Sequence, residues 1–378
     1  MRRLALVLLV VGIAILWRPF IRPIGAGAIL VADIYSSALW DRNVAAYMTP
    51  LPVVTGTRET FAGMEMRVTW WRPSWGDRHP ALMMVNGATA LGNDDPETTR
   101  LAEALARAGY LVMLPEFPFI REGTLEPRAP AIIDSAFASL RAAPDSRDMP
   151  IGAFGFSVGG GMLLAAAGRY EALSRAAYVG ALGAYYDLDT YLASVITRTQ
   201  VVGGAPAEWD PDPIARLRLP LAAAELVTDP GDRALLEQEL RTHDGRTEAD
   251  PPLAIGTEAG SLWRALGAND YDVALARLRG LPPAMRKVFD DLSPRLRWAA
   301  IRAPVFWLHD EGDRFEPVSE AETAAATPHD GTTRFQRTAL LSHAAALGTG
   351  AKEKGLDFWI PELSGLLLFA AGALGAGG

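Results

Sequence analysis

No cysteine occurs among the 378 residues, which excludes disulfides, thiolate zinc sites and a cysteine nucleophile. Histidine is scarce: His79, His243, His309, His329 and His343 are all there are. No two of them have the spacing of paired ligands on one helix face, so the chain is expected to need no metal and no cofactor. Positive charge is also short. Lys and Arg number 36 against 44 Asp and Glu, a net charge of -8, and no basic tract interleaves with aromatics. Nucleic acid is therefore not expected as a partner. Charged residues are only 21% of the chain and hydrophobic residues 49%, so most of it should bury a core and little should be disordered. The length suits one catalytic domain carrying an inserted subdomain, and no internal repeat is visible.

One long apolar run is present, at the N-terminus. Arg2 and Arg3 precede Leu4–Trp17, whose 14 residues would make a helix of about 21 Å. That is short of the roughly 30 Å hydrocarbon core of a bilayer. Extending the run to Ile21 gives about 27 Å, with Arg18 able to snorkel and Trp17 near the interface. The segment predicts a membrane anchor, with the catalytic domain outside the cytoplasm. A cleaved signal peptide is the rival, with Ala26-Gly27-Ala28 as its small-residue site, but Arg18 and Arg22 intervene unfavourably. The Gly/Ala-rich stretch to about residue 50 reads as a connector.

From Val53 the pattern changes. Met64–Arg72 is strand-like after an Ala62-Gly63 turn. Ala81–Gly87 and Tyr110–Pro115 are apolar runs of the kind buried in parallel sheets. Between them Asp95 suits an N-cap, Pro96 the first helical turn and Gly109 a C-terminal cap. Helix Ala129–Ala143, strand Ile151–Phe156, helix Val158–Arg169 and strand Ala176–Gly183 continue the alternation, which predicts an α/β fold with a mostly parallel sheet flanked by helices. From about Leu188 to Leu292 the rhythm breaks. Charged helical segments (Asp232–Arg241, Tyr271–Leu278) alternate with proline-rich breaks at Asp210-Pro211-Asp212-Pro213, Asp250-Pro251-Pro252 and Pro282-Pro283. This stretch reads as a mainly helical lid. The sheet resumes at Pro304–Leu308, Thr333–Leu340 is the last strand, and a helix closes the domain. The organisation expected is thus 1–50 anchor or signal segment and connector, 51–187 first part of the core, 188–292 lid, and 293–378 second part of the core.

Gly155-Phe156-Ser157-Val158-Gly159 matches the G-x-S-x-G nucleophile elbow, with an apolar strand before it and an Ala/Leu helix after it. A serine hydroxyl is a poor nucleophile until a base takes its proton, and a sharp strand-to-helix turn presents it to one. The triad order on this scaffold is Ser, acid, His. His329 and His343 alone follow the resumed strand. His329 lies in Pro328-His329-Asp330-Gly331, a turn signature, and reads as a solvated loop residue. His343 follows a strand and is the expected base. Asp313 lies past the strand that ends at Leu308, at the sheet edge where ligands gather, and is the expected acid. Asp310 and Glu311 share its loop, Asp187 is the reserve, and His309 reads as structural. For the oxyanion, the backbone N–H groups of Val158 and Ala88 are the expected donors, with Thr89 or Gly92 as substitutes for the second. Glu116, after its strand, reads as a loop carboxylate.

Set out in this order, the segments VNGATALGNDDP, LAEALARAGYLVMLPE, GAFGFSVGGG, GAYYDL, LSPRLRWAAIRAPVFWLHDEGDRFEP and the Ser342-His343 pair resemble bacterial α/β-hydrolases of the dienelactone-hydrolase and esterase type, over roughly residues 64–190 and 292–350. Such hydrolases commonly carry His-Gly before the oxyanion loop, where Asn86-Gly87 stands here. Dienelactone hydrolases proper use a cysteine nucleophile, which this chain lacks. The resemblance implies hydrolysis of a carboxylic ester or related acyl bond in a small-molecule substrate, through an acyl-serine. Acyl transfer by the same triad is one alternative. A non-catalytic, membrane-tethered binding protein on a hydrolase scaffold is the other.

Overall fold

The computed structural model describes residues 22–40, 45–47, 49–248, 250–343, 347–348 and 351–376. Among them the strands are β1 (Val53–Phe61), β2 (Met64–Arg72), β3 (Ala81–Val85), β4 (Leu111–Pro115), β5 (Ile151–Phe156), β6 (Val179–Leu182), β7 (Thr199–Val202), β8 (Ala205–Glu208), β9 (Val305–Asp310) and β10 (Thr333–Thr338). Eight form one sheet in the order β1-β2-β4-β3-β5-β6-β9-β10. β1 and β2 are an antiparallel hairpin whose turn residues, Ala62 and Gly63, both have positive φ (47° and 82°), the twist that a two-residue hairpin turn requires. β2 pairs antiparallel with β4, and the rest of the sheet is parallel. β3, β4 and β9 are buried along their whole length, as parallel strands covered on both faces must be. This is the expected α/β-hydrolase fold.

Alternation along β3 divides the core. Met83 and Val85 point into one apolar layer, with helices Ala129–Ala142 and Ser157–Ala167. Leu82 and Met84 point into the other, with helices Pro96–Arg107 and Leu356–Gly375. Helix Pro96–Arg107 starts as its sequence suggests: the Asp95 side chain accepts from the N–H groups of Glu97 and Thr98, and Pro96 occupies the first turn.

Residues between β6 and β9 form six helices of nine or more residues, together with the β7–β8 hairpin. Two of the three proline-rich breaks open helices: Asp212 caps the helix that begins at Pro213, and Pro283 begins Pro283–Leu292; Asp229 and Pro230 open a third helix in the same way. Proline lacks an N–H that the first turn would leave unpaired in any case. The hairpin is the non-helical element of the mainly helical stretch. Its signal is Gly203-Gly204, both at positive φ, between two short strands.

Two expectations for the N-terminal region need correction. Leu4–Trp17 lies outside the described residues. Among the described residues, the helix long and apolar enough to cross a membrane is Leu356–Gly375, at the other end of the chain, so anchoring by the N-terminus is not upheld. Nor is the stretch after the run a connector. Arg22–Trp40 is a helix packed against Leu356–Gly375 and Pro96–Arg107. Ala26, weighed as part of a cleavage site, is buried there. A side chain at Gly27 would sit 3.2 Å from the backbone of Leu367 and Ala371. Glycine and alanine look like linker composition because glycine disfavours helix, yet here they let two helices approach closely.

The same helix carries Asp33, 1% exposed, whose carboxylate lies 3.9 Å from the buried guanidinium of Arg107. Arg107 also bonds Glu103 at 2.7 Å and the Thr49 carbonyl at 2.9 Å. Replacing one member of a buried pair strands the other's charge. Arg107→Leu is therefore expected to lower stability by about 3 kcal/mol, read as a shift of the urea midpoint. A shift no larger than that of an exposed control such as Arg58→Leu would show that the N-terminal helix is not held this way.

Candidate active site

The connection that leaves β3 runs to β4 on one side and the one that leaves β5 runs to β6 on the other, so the chain departs from these neighbouring strands in opposite directions and opens a crevice at their ends. Ser157 stands in that crevice. It follows β5 directly, begins helix Ser157–Ala167 and has φ +51°, a left-handed conformation that a non-glycine residue adopts only when its surroundings enforce it. The flanking glycines supply the room. A Cβ on Gly155 would lie 2.6 Å from Gly160 Cα, and one on Gly159 would collide with the Asn86 carbonyl oxygen. The helix can therefore press against the loop that follows β3. The Asn86 amide donates to the Gly92 carbonyl at 3.1 Å and to Asn93 Oδ1 at 3.3 Å, closing that loop.

Asp313 and His343 meet beside it. His343 Nδ1 lies 2.9 Å from Asp313 Oδ2. Asp313 Oδ1 accepts from the N–H groups of Phe315 at 2.7 Å and Glu316 at 3.1 Å, which turns its loop back toward the sheet. Phe315 stacks on the imidazole with ring centres 4.6 Å apart. His343 is itself at φ +52°, and its N–H donates to Asp310 Oδ2 at 3.1 Å. The reserve acid, Asp187, is engaged elsewhere, by Arg295 at 2.6 Å and Ser293 at 3.1 Å. Glu116 is bound by Arg67, Arg121 and the Asn93 N–H, and so braces the loop after β3. His309 is buried, its Nε2 3.0 Å from the Glu316 carbonyl. His329 is no solvated residue: it bonds Ile301 and Thr333 at 2.8 Å and packs on Trp298.

Glu316 is the residue that sequence reasoning missed. It is fully buried. Oε1 accepts from Ser157 Oγ at 2.7 Å and from the Tyr191 hydroxyl at 3.5 Å, while Oε2 has no hydrogen bond and lies 3.4 Å from His343 Nδ1. The hydroxyl hydrogen bond of Ser157 thus runs to Glu316, not to His343. The available signal was the spacing Asp313-x-x-Glu316. An aspartate that accepts the N–H three residues on curls the chain, returning the second carboxylate to the same point.

Three ionisable groups so close perturb one another. Burial pushes Glu316 up, His343 opposes this and the Asp313 charge adds to it, leaving Glu316 well above the ordinary carboxylate range. Burial works the same way on Asp313, but the charge and hydrogen bond of His343 outweigh it and hold Asp313 low. His343 is lowered by burial and raised more by the carboxylates of Asp313, Glu316 and Asp310, to about 9. The donor atoms of Asp313, Glu316 and His343 also lie within 4.8 Å of one another, close enough in principle to share a cation, as do those of Glu239, His243 and Glu248 near the surface. In the first cluster the imidazole nitrogen and one Glu316 oxygen are already taken by Asp313 and Ser157.

Ser157, His343 and Glu316 line a cavity of about 640 Å³. Gly87, Ala88 and Val158 line it too, and a Cβ on Gly87 would sit 3.0 Å from Ser157 Cβ, so both expected oxyanion donors belong to segments flanking the serine.

No protein-family model matches the sequence, and no curated protein does. Solved structures do. Among them are DcsB in complex with its substrate analogue (TM-score 0.49, 13% identity, 86% of this chain and 100% of that one) and the 2,6-dihydroxy-pseudo-oxynicotine hydrolase (TM-score 0.49, 14% identity, 94% and 81%). Another is an acylaminoacyl peptidase in complex with Z-Gly-Gly-Phe-chloromethyl ketone (TM-score 0.47, 11% identity, 80% of this chain); this chain spans 39% of that peptidase's length.

The contact between Gly159 and Asn86 is open to a direct check. Gly159→Ala is expected to cost about 2–3 kcal/mol by forcing the elbow off the loop. Gly56→Ala, at a position with nothing within 4 Å, should cost about 1 kcal/mol or less. Equal urea midpoints for the two variants would contradict the close approach.

Proposed function

We propose that this chain, an α/β-hydrolase by fold, is a serine hydrolase that cleaves a carboxylic ester through an acyl-serine intermediate. The observation that carries this is Ser157, held at positive φ at the head of a helix, sharing one cavity with a His343 imidazole oriented by a buried Asp313 carboxylate. Ser157 attacks the carbonyl carbon. His343, kept in one tautomer by the bond from Nδ1 to Asp313, takes the hydroxyl proton and returns it to the leaving alcohol. The N–H groups of Val158 and Ala88 stabilise the oxyanion. Water, activated by the same imidazole, then releases the acid. Glu316 holds the Ser157 hydroxyl in the resting site, and turning about the serine Cα–Cβ bond hands it to the histidine. Hydrogen bonds in an unoccupied site commonly tighten into productive geometry only with substrate bound.

The segment 188–292, inserted between core parts 51–187 and 293–378, is the proposed lid. Ile214, Ala215 and Arg218 from it line the cavity, and it is fastened to the acid loop: Trp209 Nε1–H donates to the Asp313 carbonyl at 2.8 Å, and Arg314 bonds Asp210 at 2.6 Å. A lid so placed sets the shape of the substrate site.

Two predictions follow from these roles. Ser157→Ala should lower ester turnover by a factor on the order of 10⁴ while leaving the fold intact, and Asp313→Asn should be far more damaging than Glu311→Gln. A purified Ser157→Ala protein that keeps a tenth of native turnover would sink the assignment. The second concerns pH. Only neutral imidazole can accept the serine proton, so kcat/KM should rise with pH towards about 9, where His343 titrates. Glu316→Gln removes one of the three carboxylates, with Asp313 and Asp310, that raise that value, so the rising limb should move to lower pH. An unmoved limb in the pH–rate profile would show that Glu316 does not act on His343.

A further inference from the structure

Protein interiors are packed to crystal-like density, and voids much larger than a water molecule are rare. Here the cavity that begins at Ser157 does not end at the crevice. It continues across the sheet face under the two terminal helices, reaching Phe154 and Tyr178 on the sheet side and Ala373 and Leu374 on the Leu356–Gly375 helix. The whole cavity, which is also lined away from the terminal helices by Phe119, Leu125, Tyr191 and Leu219, has a volume of about 640 Å³, many times the roughly 30 Å³ share of one water. The C-terminal helix contributes Ala370 and Ala373 to the wall together with Leu366, Phe369 and Leu374, and the facing strands contribute large apolar side chains such as Leu82, Met84 and Leu308. Charged groups cluster towards one end: Asp95, Glu97 and Arg100 stand at the start of helix Pro96–Arg107, beside the loop after β3.

The depth can be read along β5. The Tyr178 ring covers Gly152, so that a side chain there would strike it. Five residues, or roughly 17 Å at about 3.3 Å per residue, separate Gly152 from Ser157. A zigzag of carbon–carbon single bonds advances about 1.3 Å per atom, so an extended chain of about 12 carbons would fill the slot from the ester carbon to its floor.

We infer that the acyl part of the substrate is a long, unbranched hydrocarbon chain, lying between the sheet and the two terminal helices with its carbonyl at Ser157. This rests on the hydrolase reading for the chemistry, though not for the binding of the chain. Each buried methylene removes apolar surface from water, so chain length should be strongly rewarded. The slot also explains the packing of the N-terminal helix, whose Leu30, Val31 and Ile34 form part of its wall.

The test uses the full chain with p-nitrophenyl esters from acetate to hexadecanoate, below their micelle concentrations. In parallel, dodecanoic acid binding to Ser157→Ala is followed by calorimetry. Expected are a kcat/KM that rises at least tenfold from butanoate to dodecanoate, and saturable binding of the acid. Ala373→Phe, which shortens the slot, should reduce dodecanoate turnover and dodecanoic acid binding at least tenfold while changing acetate turnover less than twofold. Leu101→Trp, on the wall, serves as a second obstruction if Ala373→Phe fails to fold, which labelling of Ser157 by a small fluorophosphonate reports. Preference for acetate, with no binding of dodecanoic acid and Ser157 still labelled, would overturn the acyl slot and leave the hydrolase reading standing. Binding of dodecanoic acid by a protein whose Ser157 is never labelled would overturn the hydrolase and keep the slot.

Discussion

A carboxylate taken out of water must be surrounded by donors or by positive charge, and much of the site follows from the way Asp313 meets that requirement. One oxygen accepts two backbone N–H groups of its own loop, and the other faces His343. Those contacts set the course of residues 313–316, and the course places Glu316 against Ser157. The loop's outer side is claimed by Trp209 and Asp210 of the inserted segment. Asp313, His343, Ser157 and the inserted segment are thereby all tied to one short stretch of chain. Two buried carboxylates cannot both be ionised cheaply so close together, which is why Asp313 is held low and Glu316 high.

The elbow obeys a different constraint, that of contact distance. Ser157 reaches the crevice because Gly155 and Gly159 let its helix touch the chain on both sides, and the Asn86 carbonyl occupies the place a side chain would need. The loop after β3 is drawn in by the same contact, and Asn86, Asn93 and Glu116 then brace it from behind.

What could be read from the residues alone follows the range of the interactions involved. β2 and β5 coincide with the expected Met64–Arg72 and Ile151–Phe156, and the Asp95 cap sits where it was placed, because each depends on neighbours in sequence. Ser157, Asp313 and His343, chosen from chain order, do come together in space, while Asp187 does not join them. Glu316 was invisible because its significance comes from a partner 159 positions away. His329 was misjudged for a like reason: Pro-His-Asp-Gly describes a turn accurately but says nothing of Trp298 packed against the ring. The helix Arg22–Trp40 was lost to composition, since Gly25 and Gly27 weaken the local preference for helix and only the Leu356–Gly375 partner shows the use of Gly27.

That pair of terminal helices joins the fold to its chemistry. A core layer covered by the C-terminal helix alone would expose Leu366 and Phe369 along their flank, whereas the N-terminal helix closes over them and adds Tyr35 to the same apolar cluster. Gly27 permits the close crossing of the two helices, and Ala370 and Ala373 leave room beneath it. Small residues therefore serve opposite purposes a few ångströms apart: on the N-terminal helix they remove space between elements, and on the C-terminal helix they preserve it. Filling a cavity ordinarily stabilises a protein. On the proposed function, the cavity that runs from Ser157 beneath the two helices is stability given up so that the apolar part of a substrate can complete the core.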